Sequence, residues 1–257
     1  PNKPNIVFIF SDDHALRAIG AYGSGLNKTP NLDRIAREGA LFTRSYCTNS
    51  ICCPSRATIL TGKHSHKNGV TRNGSAWNGN QFVFTRALSQ AGYKTAVIGK
   101  WHLRGWPTDE FDYWKLLSGG GGQGHYYNPE FQLMAGGTEQ IEGYSTDIIT
   151  DLALHWLRQE RDEEKPFLLM FQHKAPHRNW QPSPKYLNWL DDVTIAEPET
   201  LWDDYSNRAS PASNQTMTVS RHLTASDLKL TAPRNLTPEQ KAAWDAAYDP
   251  KNEAFRK

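Results

Sequence analysis

The sequence predicts an α/β domain whose largely parallel, mixed sheet is flanked by helices on both faces. Short apolar runs alternate along the chain with segments of helical periodicity, as in strand–helix–strand units. Three of the apolar runs also end in charged residues or histidines. Because ligands of such sheets collect beyond the carboxyl ends of the strands, these polar ends predict a site at one edge of the sheet.

Four apolar and β-branched runs are predicted as strands. Near-continuous apolar runs bounded by polar or turn-forming residues are typical of strands buried on both faces of a sheet. The runs are NIVFIF (5–10), LFTRSY (41–46), KTAVIGK (94–100) and PFLLMFQH (166–173). Together they predict a four-stranded sheet with one open edge.

Four segments with apolar residues at helical spacing are predicted as helices. They cover residues 29–39, 54–62, 84–92 and 144–160. A glycine closes each of the first three, namely Gly39, Gly62 and Gly92, and Pro54 suits the first turn of the second.

The organisation of the chain favours one large domain. A length of 257 residues is enough to bury a substantial core. Residues 181–245 are rich in Pro, Asn, Ser, Asp and Trp, and we expect long irregular loops there. The run SGGGGQG (118–124) lacks the GK[ST] ending of a phosphate-binding loop and is predicted to be a flexible connector.

Composition excludes several classes of function. The chain has 29 basic and 27 acidic residues and a net charge of +2, so we expect neither nucleic acid nor an anionic membrane as its main partner. No apolar run is long enough for a membrane span. The three cysteines are too few for a disulfide scaffold and lack the spacing of a zinc site.

The polar ends of three strands supply most of the candidate site residues. In a parallel sheet these ends meet at one edge, so their side chains are expected to converge. The candidates are Asp12 and Asp13 after the first strand, Lys100 and His102 after the third, and His173, Lys174 and His177 after the fourth.

Two adjacent cysteines, Cys52 and Cys53, precede the second helix. The N-terminus of a helix favours an anion, and Arg56 lies one turn further on, where its planar donors can bind an oxyanion. A pocket for a tetrahedral oxyanion is therefore one interpretation. The alternative is that both cysteines are packing residues and Arg56 is a surface charge.

A longer motif favours the chemical interpretation. Cys52 and Arg56 belong to the string C-x-P-S-R-x-x-x-L-T-G, and IVFIFSDD, TPNLDRIAREG, GYKTAVIGKWHL and APH stand around it in order. These motifs resemble those of the type I sulfatases of the alkaline phosphatase superfamily, and they extend to about residue 185. The resemblance implies that a formylglycine-generating enzyme or an anaerobic maturase oxidises Cys52 to formylglycine, whose hydrate attacks sulfur and forms a sulfo-enzyme intermediate.

The resemblance also implies a metal site. Asp12 and Asp13, with the formylglycine from Cys52, would bind Ca²⁺, or Mg²⁺ as the alternative, since carboxylate oxygens suit both cations. The structural alternative is that the two aspartates end a strand and cap the next helix. The family's later Asp-Asn or Asp-His pair is not visible before Lys257. We therefore expect residues 1–257 to be the N-terminal part of the catalytic domain, with C-terminal strands and a subdomain to follow.

The resemblance assigns roles to other residues. By analogy Arg56 and Lys100 bind the sulfate, His102 accepts a proton from the spare hydroxyl, and His177 protonates the leaving alkoxide. Lys174 and Arg178 are candidate substrate-binding residues, although solvated surface charges explain them about as well.

The segment HKAPHRNWQPSPKY is similar to bacterial N-acetylglucosamine-6-sulfatases. The implied substrate is a sulfated carbohydrate such as the 6-O-sulfated N-acetylglucosamine of a heparan-type glycosaminoglycan. The implied location is the periplasm or the outside of the cell, or the lysosome in a eukaryote. Two alternatives stay open: a phosphonate or phosphate monoester hydrolase of the same superfamily, and a catalytically silent relative that binds sulfated glycans.

Overall fold

A computed structural model describes residues 3–257, and the chain divides into two compact units. Unit 1 contains the described residues up to Ser24 together with Lys28–His177. Unit 2 contains Gly25–Asn27 and Arg178–Lys257. The sheet lies in unit 1.

The sheet of unit 1 has six strands and is mixed. Its strands are β1 (Ile6–Phe10), β2 (Lys94–Gly99), β3 (Tyr113–Leu117), β4 (Glu130–Leu133), β5 (Thr138–Gln140) and β6 (Phe167–Gln172). Their spatial order is β1-β6-β2-β3-β4-β5. The first four strands in this order run parallel, whereas β4 and β5 are antiparallel to their neighbours.

The helices of unit 1 precede or connect these strands. They are α1 (Pro30–Glu38), α2 (Cys52–Thr61), α3 (Ser65–Asn68), α4 (Phe84–Gln90) and α5 (Ser145–His155). A π-helical turn over Trp156–Glu160 continues α5. Within residues 3–257, no helix has the length and apolarity that a membrane crossing needs.

Both faces of the sheet are covered, because alternate residues of each central strand enter different cores. Val97 and Met170 pack with residues of α2 and α4 on one face. Ala96, Ile98 and Leu169 pack with residues of α5 on the other. This arrangement explains the continuous apolar runs of β2 and β6 and confirms the α/β class.

The parallel strands β1, β6 and β2 end at the same level. Phe10 pairs with Gln172 on one side of β6, and Gly99 pairs with Gln172 on the other. The ladder continues beyond the strands, since the amide of His173 donates to the carbonyl of Phe10 and that of Lys100 to the carbonyl of Gln172, both at 2.8 Å. The residues that follow these strands therefore share one edge of the sheet.

Three predicted strands are confirmed and one is wrong. Residues 41–46 form an exposed loop, with Phe42 and Tyr46 71% and 86% exposed, because no neighbouring strand supplies hydrogen-bond partners. The sheet also has six strands instead of four, since β3, β4 and β5 were not predicted. These three are short and carry polar or charged residues, which hides the apolar pattern.

The four predicted helices are present in unit 1, with small shifts at their ends. Helix α2 includes Cys52 as its first residue and ends at Gly62, whose φ of 65° is left-handed. Cys52 was expected just outside this helix. The shift follows from Ile51, which is the N-cap and whose carbonyl accepts a 2.9 Å bond from the amide of Ser55.

Unit 2 consists of short helical pieces, loops and one long helix. The pieces are a 3₁₀ turn (Pro184–Tyr186), α6 (Ser210–Ser213) and α7 (Val219–His222). The long helix, α8 (Pro238–Arg256), was not predicted. It begins with a capping box in which Thr237 and Gln240 exchange hydrogen bonds, and its buried face contains Trp244.

Candidate active site

A buried cluster of charges lies at the shared edge of the sheet. Asp12, Arg56 and Lys100 are 5%, 3% and 0% exposed. The Lys100 ammonium contacts Oδ2 of Asp12, and Nη2 of Arg56 lies 3.4 Å from the same oxygen. One carboxylate thus contacts two cations, and the three predicted site residues are brought together.

Arg56 is held on several sides because α2 carries it against the ends of β1, β2 and β6. Its Nη1 donates to the backbone carbonyl of Lys100 and to Oε1 of Gln172, both at 2.6 Å. Its guanidinium carbon lies 5.0 Å from the centre of the Phe10 ring. Arg56 therefore connects the second helix to all three strand ends and is not a surface charge.

The charges of the cluster shift its pKa values. Burial acts to raise the pKa of Asp12, but the nearby Arg56 and Lys100 outweigh it, so the pKa falls below its usual value. Burial lowers the pKa of Lys100, and the Asp12 carboxylate opposes this effect. Asp12 is therefore an ionised carboxylate at neutral pH, which can accept hydrogen bonds or bind a cation.

Cys52 lies at the N-terminus of α2, beside Asn73. Its Sγ donates to Oδ1 of Asn73 at 3.5 Å, and the amide of Cys53 donates to the same oxygen at 3.3 Å. Cys53 is 1% exposed and packs in the core. Cys52, Arg56 and Asp12 line a cavity of about 300 Å³, together with Phe10, Ser11, Asp13, His14, Cys47, Asn49, Ser50, Ile51 and Ser55.

His102 lies close to the charge cluster in an unusual backbone conformation. Its φ of 57° lies in the left-handed region, so the chain is not extended between Lys100 and the next residues. Its Nδ1 is buried and has no hydrogen-bond partner within residues 3–257. Burial, together with the charges of Lys100 and Arg56, lowers the pKa of His102 to about 4. The ring is therefore neutral at neutral pH and able to accept a proton.

Lys174 and His177 follow β6 and lie near the charge cluster at the edge of the sheet. Lys174 is 7% exposed, and its ammonium lies 5.2 Å from the centre of the Tyr126 ring. Burial, together with the charge of Lys100, lowers its pKa to about 8. Nε2 of His177 lies 3.7 Å from Oδ2 of Asp13, and the Tyr126 hydroxyl donates to the carbonyl of His177.

Arg178 belongs to unit 2. Its Nε donates to Oδ1 of Asp227 at 2.7 Å, and its Nη2 donates to the carbonyl of His222 at 2.8 Å and contacts Oδ2 of Asp227. These bonds lower the pKa of Asp227. Arg178 thus has a structural role within unit 2, and its role in substrate binding stays a prediction.

The described residues fit part of a site for a hard cation. Asp12 and Asp13 offer carboxylate oxygens beside Cys52, whose converted side chain would add another oxygen. Ca²⁺ usually takes about six to eight oxygen ligands. Within residues 3–257, no group of three or more His, Cys, Asp or Glu side chains is placed to enclose a metal.

Three neutral polar residues of the site were not predicted. Gln172 accepts from Arg56, Asn73 accepts from Cys52, and Oε1 of Gln123 accepts from Lys100 at 2.8 Å. Gln172 carried a signal, since it is the polar end of an apolar strand. Asn73 and Gln123 lie in loops, and only the folded chain shows what they contact.

Comparisons with known proteins agree on one family. The Sulfatase family model matches residues 4–220. An N-acetylglucosamine-6-O-sulfatase of Bacteroides thetaiotaomicron is 44% identical over 99% of this chain and 48% of its own length. An N-acetylgalactosamine-6-sulfatase of Rattus norvegicus is 30% identical over 73% of this chain and 42% of its own length. The chain thus spans about half the length of these relatives.

A solved structure agrees with this result. It is described as BT4656 in complex with its substrate D-glucosamine-2-N,6-O-disulfate, and it is 44% identical to this chain. The two structures superpose with a TM-score of 0.94, and the match covers 99% of this chain and 54% of the solved one. From the family match, the identity and the shared fold, we conclude that the chain belongs to the sulfatase family.

Proposed function

We propose that this chain is part of a sulfatase that removes O-sulfate from a glucosamine-type sugar. The finer proposal for the substrate is the 6-O-sulfated N-acetylglucosamine of a heparan-type glycosaminoglycan. The observation that carries the proposal is the position of Cys52, at a helix N-terminus in one cavity with Asp12 and Arg56. The names and bound substrate of the similar proteins support the choice of sugar.

The nucleophile in this proposal comes from Cys52, which a formylglycine-generating enzyme or an anaerobic maturase converts. When hydrated, formylglycine supplies two hydroxyls on one carbon, one to bond sulfur and one to release sulfate. Asn73 already contacts Sγ of Cys52, so its amide is placed to orient an oxygen at that position.

Arg56 and Lys100 provide positive charge where the sulfate is expected. Both are nearly inaccessible to water, which strengthens their attraction for an anion. Asp12 offsets one of the two charges and leaves a net positive cluster. Because other residues already hold Arg56 and Lys100 in place, little reorganisation accompanies the reaction.

The two histidines have complementary proposed roles. His102, with a pKa of about 4, is neutral at neutral pH and accepts the proton of the spare hydroxyl. His177, whose Nε2 lies 3.7 Å from Oδ2 of Asp13, is proposed to donate a proton to the leaving alkoxide. Lys174, with a pKa of about 8, is mostly cationic at neutral pH and is proposed to bind an anionic group of the substrate.

We also propose a Ca²⁺ site, with Mg²⁺ as the alternative, held by Asp12, Asp13 and the converted Cys52. The ion would supply positive charge beside the nucleophile. Asp12 and Asp13 leave most of the shell open, and the chain spans about half of its relatives. We therefore propose that a further C-terminal part supplies the other metal ligands. Separately, Arg178 and Lys174 are proposed to bind substrate in the complete protein.

The proposed location is the periplasm or the outside of the cell, because sulfated glycans are met there. For a eukaryotic source the corresponding compartment is the lysosome. The expected partners are the sulfated carbohydrate and the maturase that acts on Cys52. Fractionation of the native cell, with immunodetection of the protein in each compartment, tests this part of the proposal.

Activity on defined saccharides tests the proposal. The protein expressed from its complete gene with a maturase should release sulfate from 6-O-sulfated N-acetylglucosamine faster than from the 3-O- and N-sulfated sugars. Faster cleavage of matched phosphate esters would favour the phosphatase alternative. Tight binding of sulfated glycans without release of sulfate would favour the silent relative and contradict the proposal.

A further inference from the structure

The glycine-rich segment 118–124 contacts the charge cluster through Gln123 and has a defined shape. Gly119, Gly120, Gly121, Gly122 and Gly124 all have positive φ values, between 51° and 84°. The loop is closed by the amides of Gly122 and Gly124, which both donate to the carbonyl of Gly119. Positive φ at successive positions is a conformation that glycine adopts without strain. The predicted connector between β3 and β4 thus has the turn geometry that its glycines allow.

Two of these glycines have no room for a side chain. A Cβ at Gly124 would lie 2.8–3.0 Å from atoms of the Leu117 side chain, at the end of β3. A Cβ at Gly120 would lie 2.8 Å from the carbonyl oxygen of Gly124. The loop therefore packs tightly against itself and against the strand that precedes it. Gln123 is thereby fixed at one place.

That place is beside the Lys100 ammonium. Oε1 of Gln123 accepts a 2.8 Å hydrogen bond from Nζ of Lys100, whose side chain is 0% exposed. An ammonium has three N–H donors. Asp12 takes one and Gln123 takes another, so a third donor is left for an incoming oxygen. The positions of the two acceptors determine the direction of that third donor.

We propose that Gln123 is a positioning residue for the sulfatase reaction: it aims the third N–H of Lys100 at the bound sulfate. This inference rests on the proposed function, in which Lys100 binds the sulfate. Without Gln123, the ammonium can rotate about the long lysine side chain and lose its alignment. The glycine-rich loop holds the Gln123 amide against the buried ammonium of Lys100.

An amide suits this task better than a carboxylate does. The cluster holds two cations, Arg56 and Lys100, and one anion, Asp12. A glutamate at position 123 could hold the ammonium equally well but would cancel the remaining positive charge. The attraction for a sulfate ester would then weaken. A glutamine fixes the lysine and leaves its charge available.

The loop also lies beside His102. A Cβ built on Gly122 would lie 3.7 Å from Cδ2 of the His102 ring. Gly122 is therefore close to the His102 ring, and the next residue, Gln123, contacts Lys100. The same loop thus contacts Lys100 and passes next to His102.

Steady-state kinetics of the complete, aldehyde-bearing protein test the proposal. Gln123→Ala should lower kcat at least about tenfold, as expected for losing a hydrogen bond to a charged group. Gln123→Glu keeps the acceptor and should instead raise KM for the sulfate ester with a smaller change in kcat. Gln132→Ala removes a matched amide that donates to the carbonyl of Gly137, and it should leave both constants unchanged.

A second measurement does not depend on activity. Lys100 should react slowly with acetic anhydride in the wild type, as followed by mass spectrometry of its peptide. Gln123→Ala should raise this rate severalfold, whereas Gln123→Glu and Gln132→Ala should not. An unchanged rate and unchanged kinetics in Gln123→Ala would overturn the proposal. If the wild type hydrolyses no sulfate ester, the proposed function fails, while the labelling still decides whether Gln123 holds Lys100.

Discussion

Arg56 shows at the scale of a residue how one side chain serves both the fold and the site. Its guanidinium contacts the Asp12 carboxylate, the Lys100 carbonyl and the Gln172 amide, in three different strand-end segments. The planar fork of an arginine presents five donors in a fixed geometry to such acceptors, whereas an ammonium has three. The same contacts fix the positive charge that the proposed reaction uses.

Replacement of Arg56 by lysine should therefore destabilise the protein. Arg56→Lys keeps the charge but leaves buried acceptors without donors, and we expect a loss of about 2–3 kcal/mol in the free energy of unfolding. Denaturant titration measures this loss. The exposed Arg37→Lys should change stability by less than about 0.5 kcal/mol. Equal effects of the two substitutions would contradict the structural role of Arg56.

His102 is the residue whose proposed role separates binding from turnover. His102→Ala removes the proton acceptor for sulfate release but leaves Arg56 and Lys100 to bind the substrate. Pre-steady-state kinetics should therefore show rapid release of the first alcohol product and a much slower steady state. A loss of substrate binding with an unchanged release rate would contradict this assignment.

The sequence predicts which residues come together where they follow parallel strands that end at one edge of the sheet. Asp12, Lys100 and Lys174 follow strands whose ends are level, so their convergence could be inferred before the fold was known. Gln123 and Asn73 could not be found in this way. Gln123 is 23 residues from its partner Lys100, and Asn73 is 21 residues from its partner Cys52. No local sequence pattern indicates that these loops approach the site.

At the scale of an element, the end of β2 has little tolerance for change. Gly99 pairs with Gln172 of β6 and has a φ of 108° immediately before Lys100. A Cβ there would lie 1.9 Å from the carbonyl oxygen of Gln172. The close approach of β2 to β6 therefore requires glycine at this position.

Gly99→Ala should thus cost more stability than backbone strain alone. The matched control is Gly105→Ala, where φ is 102° but no atom lies within 4 Å of the added Cβ. We expect about 1–3 kcal/mol for the control, from strain. The clash should make Gly99→Ala clearly more costly in denaturant titrations. Similar values for both variants would show that β6 does not approach Gly99 as described.

Element prediction failed for two physical reasons. The run at 41–46 has β-forming residues, but a strand needs a neighbour, and that information is not local. Strand β3 is a five-residue run interrupted by Lys115, and β4 and β5 form a short antiparallel extension at the edge of the sheet. Strands β4 and β5 lack the continuous apolar runs of β2 and β6, because they are less deeply buried.

At the scale of the whole molecule, the chain consists of two compact units and spans about half of its relatives. The sheet and most of the candidate site residues belong to unit 1. The fold class could be predicted because alternating strands and helices specify it. The course of residues 178–257 could not, since they contain few periodic segments other than α8.

Histidines with partly buried rings should make the stability of the molecule depend on pH. Burial lowers the pKa of His173 to about 4, below the usual 6.5. The unfolded chain then binds more protons than the folded one between these values, so stability should fall as the pH drops from about 6.5 to about 4. His173→Phe should flatten this slope in denaturant titrations, whereas the exposed His66→Phe should not. An unchanged slope in His173→Phe would contradict the burial of a neutral ring.

The proposed reaction requires residue 52 to act as a hydrated aldehyde rather than as a thiol. Mass spectrometry of the peptide containing Cys52, from protein matured in its own cell and assayed for sulfate release, tests it most directly. We expect the active sample to carry a CHO group in place of the CH₂–SH group. Full sulfatase activity in a sample whose Cys52 is entirely an unmodified thiol would contradict it.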